Sequence, residues 1–346
     1  MRLVAWAAAA VLAIAPDSML GPSFQMSFAA VIALVAAYEA ARPRLAEWRQ
    51  GAGWGGLLLL YLAGVLLTTA VASAATAPFA LYHFQRLASY GLAANLAAVP
   101  LTAFWIMPWG LVAYLLMPFG LEGLALTPMG WGVAVLLWIA RLAADMPGAA
   151  LLVPAMPAWG LAVVAAGGLW LCLWQRRWRL LGVAAIAVGL TSIAAAPRPD
   201  ILINHTGSLM AVRDADGGLA VSSNRRDRFV RDMWLRRDGQ AVAAAWPREG
   251  ASADGRLMCD PLGCLYRRDG HTVALVRDPR ALAEDCAVAD VVVASVPVPW
   301  FCPAGTVVDR FDVWRHGAHA LTFTRRGVVV DSVGRSNGDR PWTLTR

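Results

Sequence analysis

Histidines and cysteines are the side chains most able to hold a metal or act as nucleophiles, so their spacing is the first test for an enzyme. Neither H-x-H-x-D-H nor H-E-x-x-H, the motifs of hydrolytic metal centres, occurs in the sequence. His316 and His319 are three residues apart, but Gly317 and a strand-like continuation argue against a helical ligand pair. We therefore predict that the protein is not an enzyme and has no catalytic residue, metal site or cofactor. Its histidines are His83, His205, His271, His316 and His319.

Four of the five cysteines, Cys259, Cys264, Cys286 and Cys302, lie close together in the chain. An even number of cysteines in a domain outside the cytoplasm suggests two disulfides with three connectivities, of which we favour the local pairs 259–264 and 286–302. The alternative is a four-cysteine zinc site, which the absence of paired C-x2-C motifs disfavours. Cys172 stands alone in an apolar segment, where we expect it to pack.

An arginine-rich segment at residues 224–240 could contact nucleic acid, because arginines bind phosphates and interleaved aromatic rings stack on bases. Phe229, Met233 and Trp234 have helical spacing within it. Three aspartates offset the six arginines, leaving a local charge of +3, so a solvated helix face is the alternative explanation. The candidate DNA-contact residues are Arg225, Arg226, Arg228, Arg231, Arg236 and Arg237.

Polar side chains also interrupt an apolar stretch near the start of the chain, GPSFQMSFAAV at residues 21–31. In a helix, Ser23 and Ser27 share one face and Gln25 lies roughly opposite. These residues either bond to neighbouring helices or line a wet path through the membrane. Asn95, Pro100 and Pro108 also either line such a path or mark ordinary kinks in a packed bundle, because proline frees backbone groups that protein or water must satisfy at membrane depth.

The composition of the chain predicts the kinds of domain in which these residues lie. The chain has 346 residues, of which 58% are hydrophobic and 15% charged, as in membrane proteins with several spans. Residues 1–198 contain ten arginines and five acidic residues, whereas residues 199–346 contain twenty and eighteen. We therefore expect an α-helical polytopic membrane domain at 1–198, followed by a soluble α/β, strand-rich domain at 199–346.

The membrane domain is predicted to have six or seven spans, since about 20 apolar residues cross a bilayer. The segment 3–15 is apolar but short and ends at Pro16, so we expect a partial helix rather than a signal peptide. The six longer candidates are residues 23–40, 54–77, 90–117, 121–144, 149–174 and 180–196. Residues 78–117 could instead contain half-helices.

Arginine placement predicts the orientation. Four predicted spans separate the cluster Arg42, Arg44 and Arg49 from the cluster at residues 176–179, so both clusters can face the cytoplasm. The last span then carries the soluble domain to the outside, which in a bacterium is the periplasm. In that domain, strand-like segments dominate, and Asp-Gly and Gly-Gly at residues 214–218 predict a hairpin.

Two segments resemble the signatures of ComEC-type competence proteins, the bacterial inner-membrane DNA-uptake channel family. They are DSMLGPSFQMSFAAVIAL at 17–34 and TAPFALYHFQRLASYGLAANLAAVPLTAFWIMPWGL at 76–111, in the family's order. The resemblance covers most of residues 1–175. It implies a component of the channel that passes single-stranded DNA into the cytoplasm during natural transformation.

Residues 199–346 resemble the family's C-terminal metallo-β-lactamase-like domain. ADVVVAS at 289–295 is similar to the strand that leads into the family's His-His-Gly metal motif, but Val296, Pro297 and Val298 follow it here. The resemblance therefore implies a degenerate domain that keeps the scaffold without the metal, and hence a chain without its own hydrolytic centre.

The resemblance also implies partners. No G-x4-G-K-[ST] loop occurs, so a motor would be a separate member of the competence machinery. Single-stranded DNA, the lipid bilayer and further copies of the chain are the other expected partners. Because the family usually has a soluble N-terminal module and earlier spans, we expect a truncated member. The alternatives are a small-solute or lipid-precursor transporter, suggested by the proline-interrupted spans, and a structural envelope protein or non-functional channel remnant.

Overall fold

The computed structural model describes residues 1–50, 53–325 and 327–338, with the side chains of residues 44, 45, 49 and 50 left out. Parts of our expectations therefore concern atoms that the structure does not describe. These are residues 339–346 and the side chains of Arg44 and Arg49. The chain divides into two compact units, Met1–Ala196 and Pro197–Arg346.

The first unit is helical, as its composition predicts. Its elements are α1 (Arg2–Ile14), α2 (Pro22–Gln50), α3 (Trp54–Phe84), β1 (Arg86–Ala88), α4 (Gly91–Leu101), α5 (Met107–Leu116), α6 (Glu122–Asp145), β2 (Ala150–Leu152), α7 (Ala158–Leu173) and α8 (Leu181–Thr191). A π-helical turn, Thr102–Ile106, joins α4 to α5.

Among the described residues, five helical segments are long and apolar enough to cross a membrane, fewer than the six or seven expected. They are Pro22–Pro43, Trp54–Phe84, Gly91–Phe119, Glu122–Asp145 and Arg177–Ala195. The expected span 149–174 was wrong in its first third. Residues 150–152 form β2, which pairs antiparallel with β1, and α7 begins only after Pro157 with 16 residues.

The proline-rich region forms one helical path with a local irregularity. Pro100 lies within α4, and the π-turn that follows ends with the Met107 amide bonded to the Thr102 carbonyl. A π-turn lengthens the hydrogen-bonded ring, and this one ends two residues before Pro108, which has no amide hydrogen to donate. The segment Gly91–Phe119 therefore stays helical and forms no pair of half-helices.

The second unit is rich in strands, and its described residues form two six-stranded sheets. Its strands are β3 (Ile201–Ile203), β4 (Met210–Arg213), β5 (Leu219–Val221), β6 (Ala244–Ala245), β7 (Gly250–Ala251), β8 (Leu257–Cys259), β9 (Gly263–Arg268), β10 (His271–Val276), β11 (Val291–Ala294), β12 (Thr306–Val308), β13 (His319–Thr324) and β14 (Gly327–Ser332). Its helices are α9 (Arg228–Asp238), α10 (Leu282–Val288), α11 (Arg310–His316) and α12 (Val333–Asn337).

The strand order is β14-β13-β3-β4-β5-β6 in one sheet and β12-β11-β10-β9-β8-β7 in the other. The β4–β5 pair is antiparallel and confirms the hairpin expected at residues 214–218. Strands β10, β11 and β12 are parallel neighbours, and β5 and β6 are also parallel, so both sheets are mixed.

The two sheets pack face to face with helices outside them. Side chains from both sheets share one buried cluster, as Ile201 and Leu275 illustrate. The alternate residues of β10, Ala274 and Val276, face the other way and pack with α10. On the far sheet, Ala211 and its neighbours pack with α9. This gives a helix–sheet–sheet–helix order of layers, since successive strand residues point to opposite faces.

Disulfides join Cys259 to Cys264 and Cys286 to Cys302. The first links directly opposed residues of β8 and β9. The second ties α10 to the loop between β11 and β12. Because all four sulfur atoms are in disulfides, this structure has no thiolate set for the alternative zinc site. Cys172 is a free thiol.

Candidate functional site

Gln25 is the polar residue of the first signature segment that bonds to a distant part of the membrane unit. Its Nε2 donates to the Met19 carbonyl at 3.0 Å, and its Oε1 lies 2.8 Å from Nε2 of His83. Because the Met19 carbonyl can only accept, Oε1 of Gln25 faces the histidine, and Nε2 of His83 carries the donated proton. The pair thus joins the start of α2 to the end of α3.

The neighbouring serines lie elsewhere on α2. Ser23 and Ser27 are exposed, whereas Gln25 is half-buried. Met26 and Ala29 of α2 pack beside Phe79 of α3 in a small buried cluster. Sequence reasoning missed His83 as the partner of Gln25, although its position as the one histidine of residues 1–198 was a usable signal.

Replacing Gln25 with leucine is expected to destabilise the membrane unit by about 0.6 kcal/mol, the average for an interhelical hydrogen bond in a bilayer. The reason is that His83 loses its acceptor. Thermal unfolding of the purified full chain in detergent would measure the change. Ser27→Ala is the matched control on the exposed face and should leave the transition unchanged; a Gln25 variant as stable as this control would contradict the bond.

Asn95 and the two prolines do not converge with Gln25. Asn95 and Pro108 are exposed and Pro100 is half-buried in the membrane unit. The π-turn next to them packs on α6, where Trp105 Nε1 donates to the Pro128 carbonyl at 2.9 Å. The contact that the structure describes in this region is therefore one between packed helices.

The arginine-rich segment forms the loop before α9 and α9 itself. Leu235 is buried against the sheet, with Val230 and Trp234 packed beside it. Phe229 is 75% exposed and Met233 is 47% exposed, so the helical spacing of Phe229, Met233 and Trp234 does not mark one buried face. Phe229 and Met233 instead share the solvent face. The exposed arginines of this segment are Arg225, Arg226, Arg228 and Arg237.

The three aspartates that offset the six arginines in the sequence bond to residues other than the four exposed arginines. Asp227 Oδ2 accepts from Asn204 at 2.9 Å and from Ser208 at 2.5 Å. Asp232 pairs with Arg231 at 2.7 Å, and Asp238 pairs with Arg213 of β4 at 2.8 Å.

Ion pairing leaves a face of free cations. Within the described residues, none of the four exposed arginines forms an ion pair. Arg231 is engaged by Asp232 and the Asn224 carbonyl, and Arg236 is half-buried. We define the α9 cationic face as Arg225, Arg226, Arg228, Phe229 and Arg237. It combines positive charge with an exposed aromatic ring.

The histidines of the second unit do not converge. In the part of the chain that the structure describes, no three His, Cys, Asp or Glu residues are grouped to hold a metal ion. His316 and His319 have ring centres 6.5 Å apart. His319 is buried, its Nδ1 lies 2.8 Å from the Gly317 carbonyl, and burial lowers its pKa.

Comparison with known proteins identifies a family that matches most of the first unit. The family model of the competence proteins matches residues 1–178, which is just over half of the chain. No curated protein and no solved structure matches the chain. The match includes both signature segments, at 17–34 and 76–111, and four of the five candidate membrane helices. The chain therefore belongs to the competence protein family.

Proposed function

We propose that the chain is a component of the inner-membrane channel through which single-stranded DNA enters the cytoplasm during natural transformation. The observation that carries this proposal is the family match over residues 1–178, in a unit with several apolar helices. A polyanion needs a path through the bilayer that hydrocarbon does not provide. The helices of this unit, with further copies or other competence proteins, supply that path.

The second unit serves this function without cleaving DNA. We place it in the periplasm, as the arginine distribution predicts, and consider it a metallo-β-lactamase-like scaffold. Its helix–sheet–sheet–helix layers support that comparison.

The ends of the parallel strands in this unit do not suit a metal ion. Arg277 follows β10 and its guanidinium lies 5.6 Å from the Trp246 ring, where its charge opposes a bound cation. Ser295, which follows β11, donates to the Val276 carbonyl at 3.4 Å. We therefore derive no hydrolytic step for this chain.

The α9 cationic face is the proposed DNA contact. Its arginines bind phosphates without regard to sequence, and Phe229 stacks on a base. The strand would thus be held in single-stranded form while a separate motor protein drives transport.

Deletion of the gene should abolish internalised DNA while DNA still binds to the cell surface, because only the membrane step is removed. Labelled DNA that resists external nuclease measures internalisation, and transformation frequency measures the outcome. Complementation with Arg226→Gln, Arg228→Gln and Arg237→Gln together should restore the protein level and lower uptake about tenfold or more, since each lost phosphate contact weakens binding.

Arg280→Gln is the matched control, because Arg280 is equally a surface arginine but is paired with Asp278 at 2.9 Å. It should complement fully. Normal transformation in the deletion strain would overturn the channel proposal. Full uptake by the triple variant would be compatible with the channel proposal but would contradict the DNA contact assigned to the α9 cationic face. Loss of labelled solute uptake with normal DNA uptake would instead favour the small-solute transporter.

A further inference from the structure

An aromatic tip projects from the loop between β11 and β12. Trp300 is 96% exposed and Phe301 is 68% exposed, and their rings meet edge to face at 5.9 Å. Neighbouring loop residues point inward, since Val298, Cys302 and Ala304 pack against the buried cluster under α10. The two largest apolar side chains of the loop are thus the ones that face out.

The loop is held in this arrangement from both sides. The disulfide Cys286–Cys302 ties it to α10. The Val298 amide donates to Asp309 Oδ2 at 3.2 Å, which fixes the loop next to the start of α11. Pro297, Pro299 and Pro303 further restrict its backbone. A loop braced in this way cannot easily fold its tip back into the core.

Helix α11, which begins beside this loop, exposes further aromatic side chains together with positive charge. Val313 packs into the core, and Phe311 and Trp314 on the other side are 48% and 55% exposed. Arg310 and Arg315 flank them and are exposed; within the described residues neither forms an ion pair. We define the aromatic surface as Trp300, Phe301, Phe311 and Trp314 with these two arginines.

We propose that the aromatic surface inserts its tip into the headgroup region of a lipid bilayer that contains anionic lipids. Tryptophan and other aromatic rings prefer this region, and arginines beside them bind anionic headgroups. Residues 196–200 alone separate the last apolar helical segment from β3, so five residues join the domain to a segment suited to a bilayer.

A bilayer fits the tip better than a nucleic acid does. Residues 291–308 contain no charged side chain, whereas surfaces that hold single strands surround their aromatic rings with cations. The α9 cationic face has that second composition, and α9 itself packs through Leu235 on the outer side of the other sheet. This inference is independent of DNA transport and would stand for any role of the membrane unit.

A photo-crosslinking probe in place of one exposed phenylalanine tests the proposal in the full chain. Phe301→p-benzoylphenylalanine is reconstituted in vesicles of phosphatidylethanolamine and phosphatidylglycerol, with a labelled single-stranded oligonucleotide in solution. Irradiation should give adducts with the mass of a phospholipid. Phe229→p-benzoylphenylalanine is the matched control, because Phe229 is 75% exposed but lies in the α9 cationic face. It should give no phospholipid adduct.

Three outcomes would each overturn the proposal. They are the absence of phospholipid adducts at residue 301, equal lipid adducts at both positions, and adducts of residue 301 with the oligonucleotide instead. Should the first variant fail to form its disulfides, the probe at Trp300 gives the same readout. Arg310→Gln with Arg315→Gln should reduce the lipid adduct severalfold in these vesicles, and an unchanged yield would contradict the part assigned to the arginines.

Discussion

Replacing Asp238 with alanine is expected to destabilise the C-terminal unit by about 3–5 kcal/mol, a large share of the stability of a typical domain. Asp238 forms a two-pronged pair with Arg213, with bonds of 2.8 and 3.0 Å. Both side chains are almost fully buried, at 5% and 8% exposure. Removing the carboxylate leaves the guanidinium of Arg213 charged and enclosed, and among the described residues the carbonyls of Pro199 and Gly217 are its remaining acceptors.

The measurement is thermal unfolding of the full chain in detergent, combined with the rate at which protease cuts the C-terminal unit. Asp232→Ala is the matched control on the same helix, since Asp232 is 43% exposed and its pair with Arg231 should contribute less than about 1 kcal/mol. Adding Arg213→Met to Asp238→Ala should recover part of the loss, because an apolar side chain needs no partner. Equal stability of the two alanine variants would show that the buried pair does not hold α9 to β4.

Leucine in place of Gly167 is expected to separate α7 from α8 and to lower the stability of the membrane unit by about 3 kcal/mol. The two helices meet through glycines seven residues apart on each: Gly160 and Gly167 on α7, Gly182 and Gly189 on α8. A Cβ on Gly167 would lie 2.7 Å from the Gly182 carbonyl oxygen and 2.9 Å from the Ala185 Cβ. The first of these is a backbone atom, so the helices themselves would have to move apart.

Gly168→Leu provides the control for this seam. A Cβ at Gly168 would meet nothing within 4 Å, so the same substitution one residue away should be accepted. The comparison of the two variants by thermal unfolding and by protein level in membranes removes the effect of adding an apolar side chain to an apolar helix. Two variants that lose stability equally would indicate a general intolerance of leucine in α7 rather than close packing.

Local requirements made much of the membrane half predictable. A bilayer demands a long apolar helix from each span independently, so composition alone located the spans near 23–40, 90–117 and 121–144. The expectation failed at 149–157, because β2 pairs there with a strand about sixty residues away. Periodicity within one segment contains no information about such a partner.

Distant contacts decided the candidate sites. The sequence identified Gln25 as unusual, but His83, 58 residues further on, became its partner only through the packing of α2 on α3. It also identified six arginines and three aspartates, without indicating which would pair. Folding engages the aspartates with residues such as Asn204, Arg213 and Arg231, and so leaves four arginines exposed.

The two-part composition, the apolar helices, the hairpin at residues 214–218 and the competence family could all be predicted from the amino-acid sequence, because each depends on residues near one another in the chain. The position of β3 between β4 and β13 could not be predicted in this way, nor could the packing of Gly167 rather than Gly168 against α8. The outward orientation of Trp300 and Phe301, beside the inward packing of Val298, also depends on the tertiary structure. Each of these outcomes depends on which distant parts of the chain pack together and exclude water. Two adjacent residues of the same type, such as Gly167 and Gly168, differ only in which of these surfaces they meet.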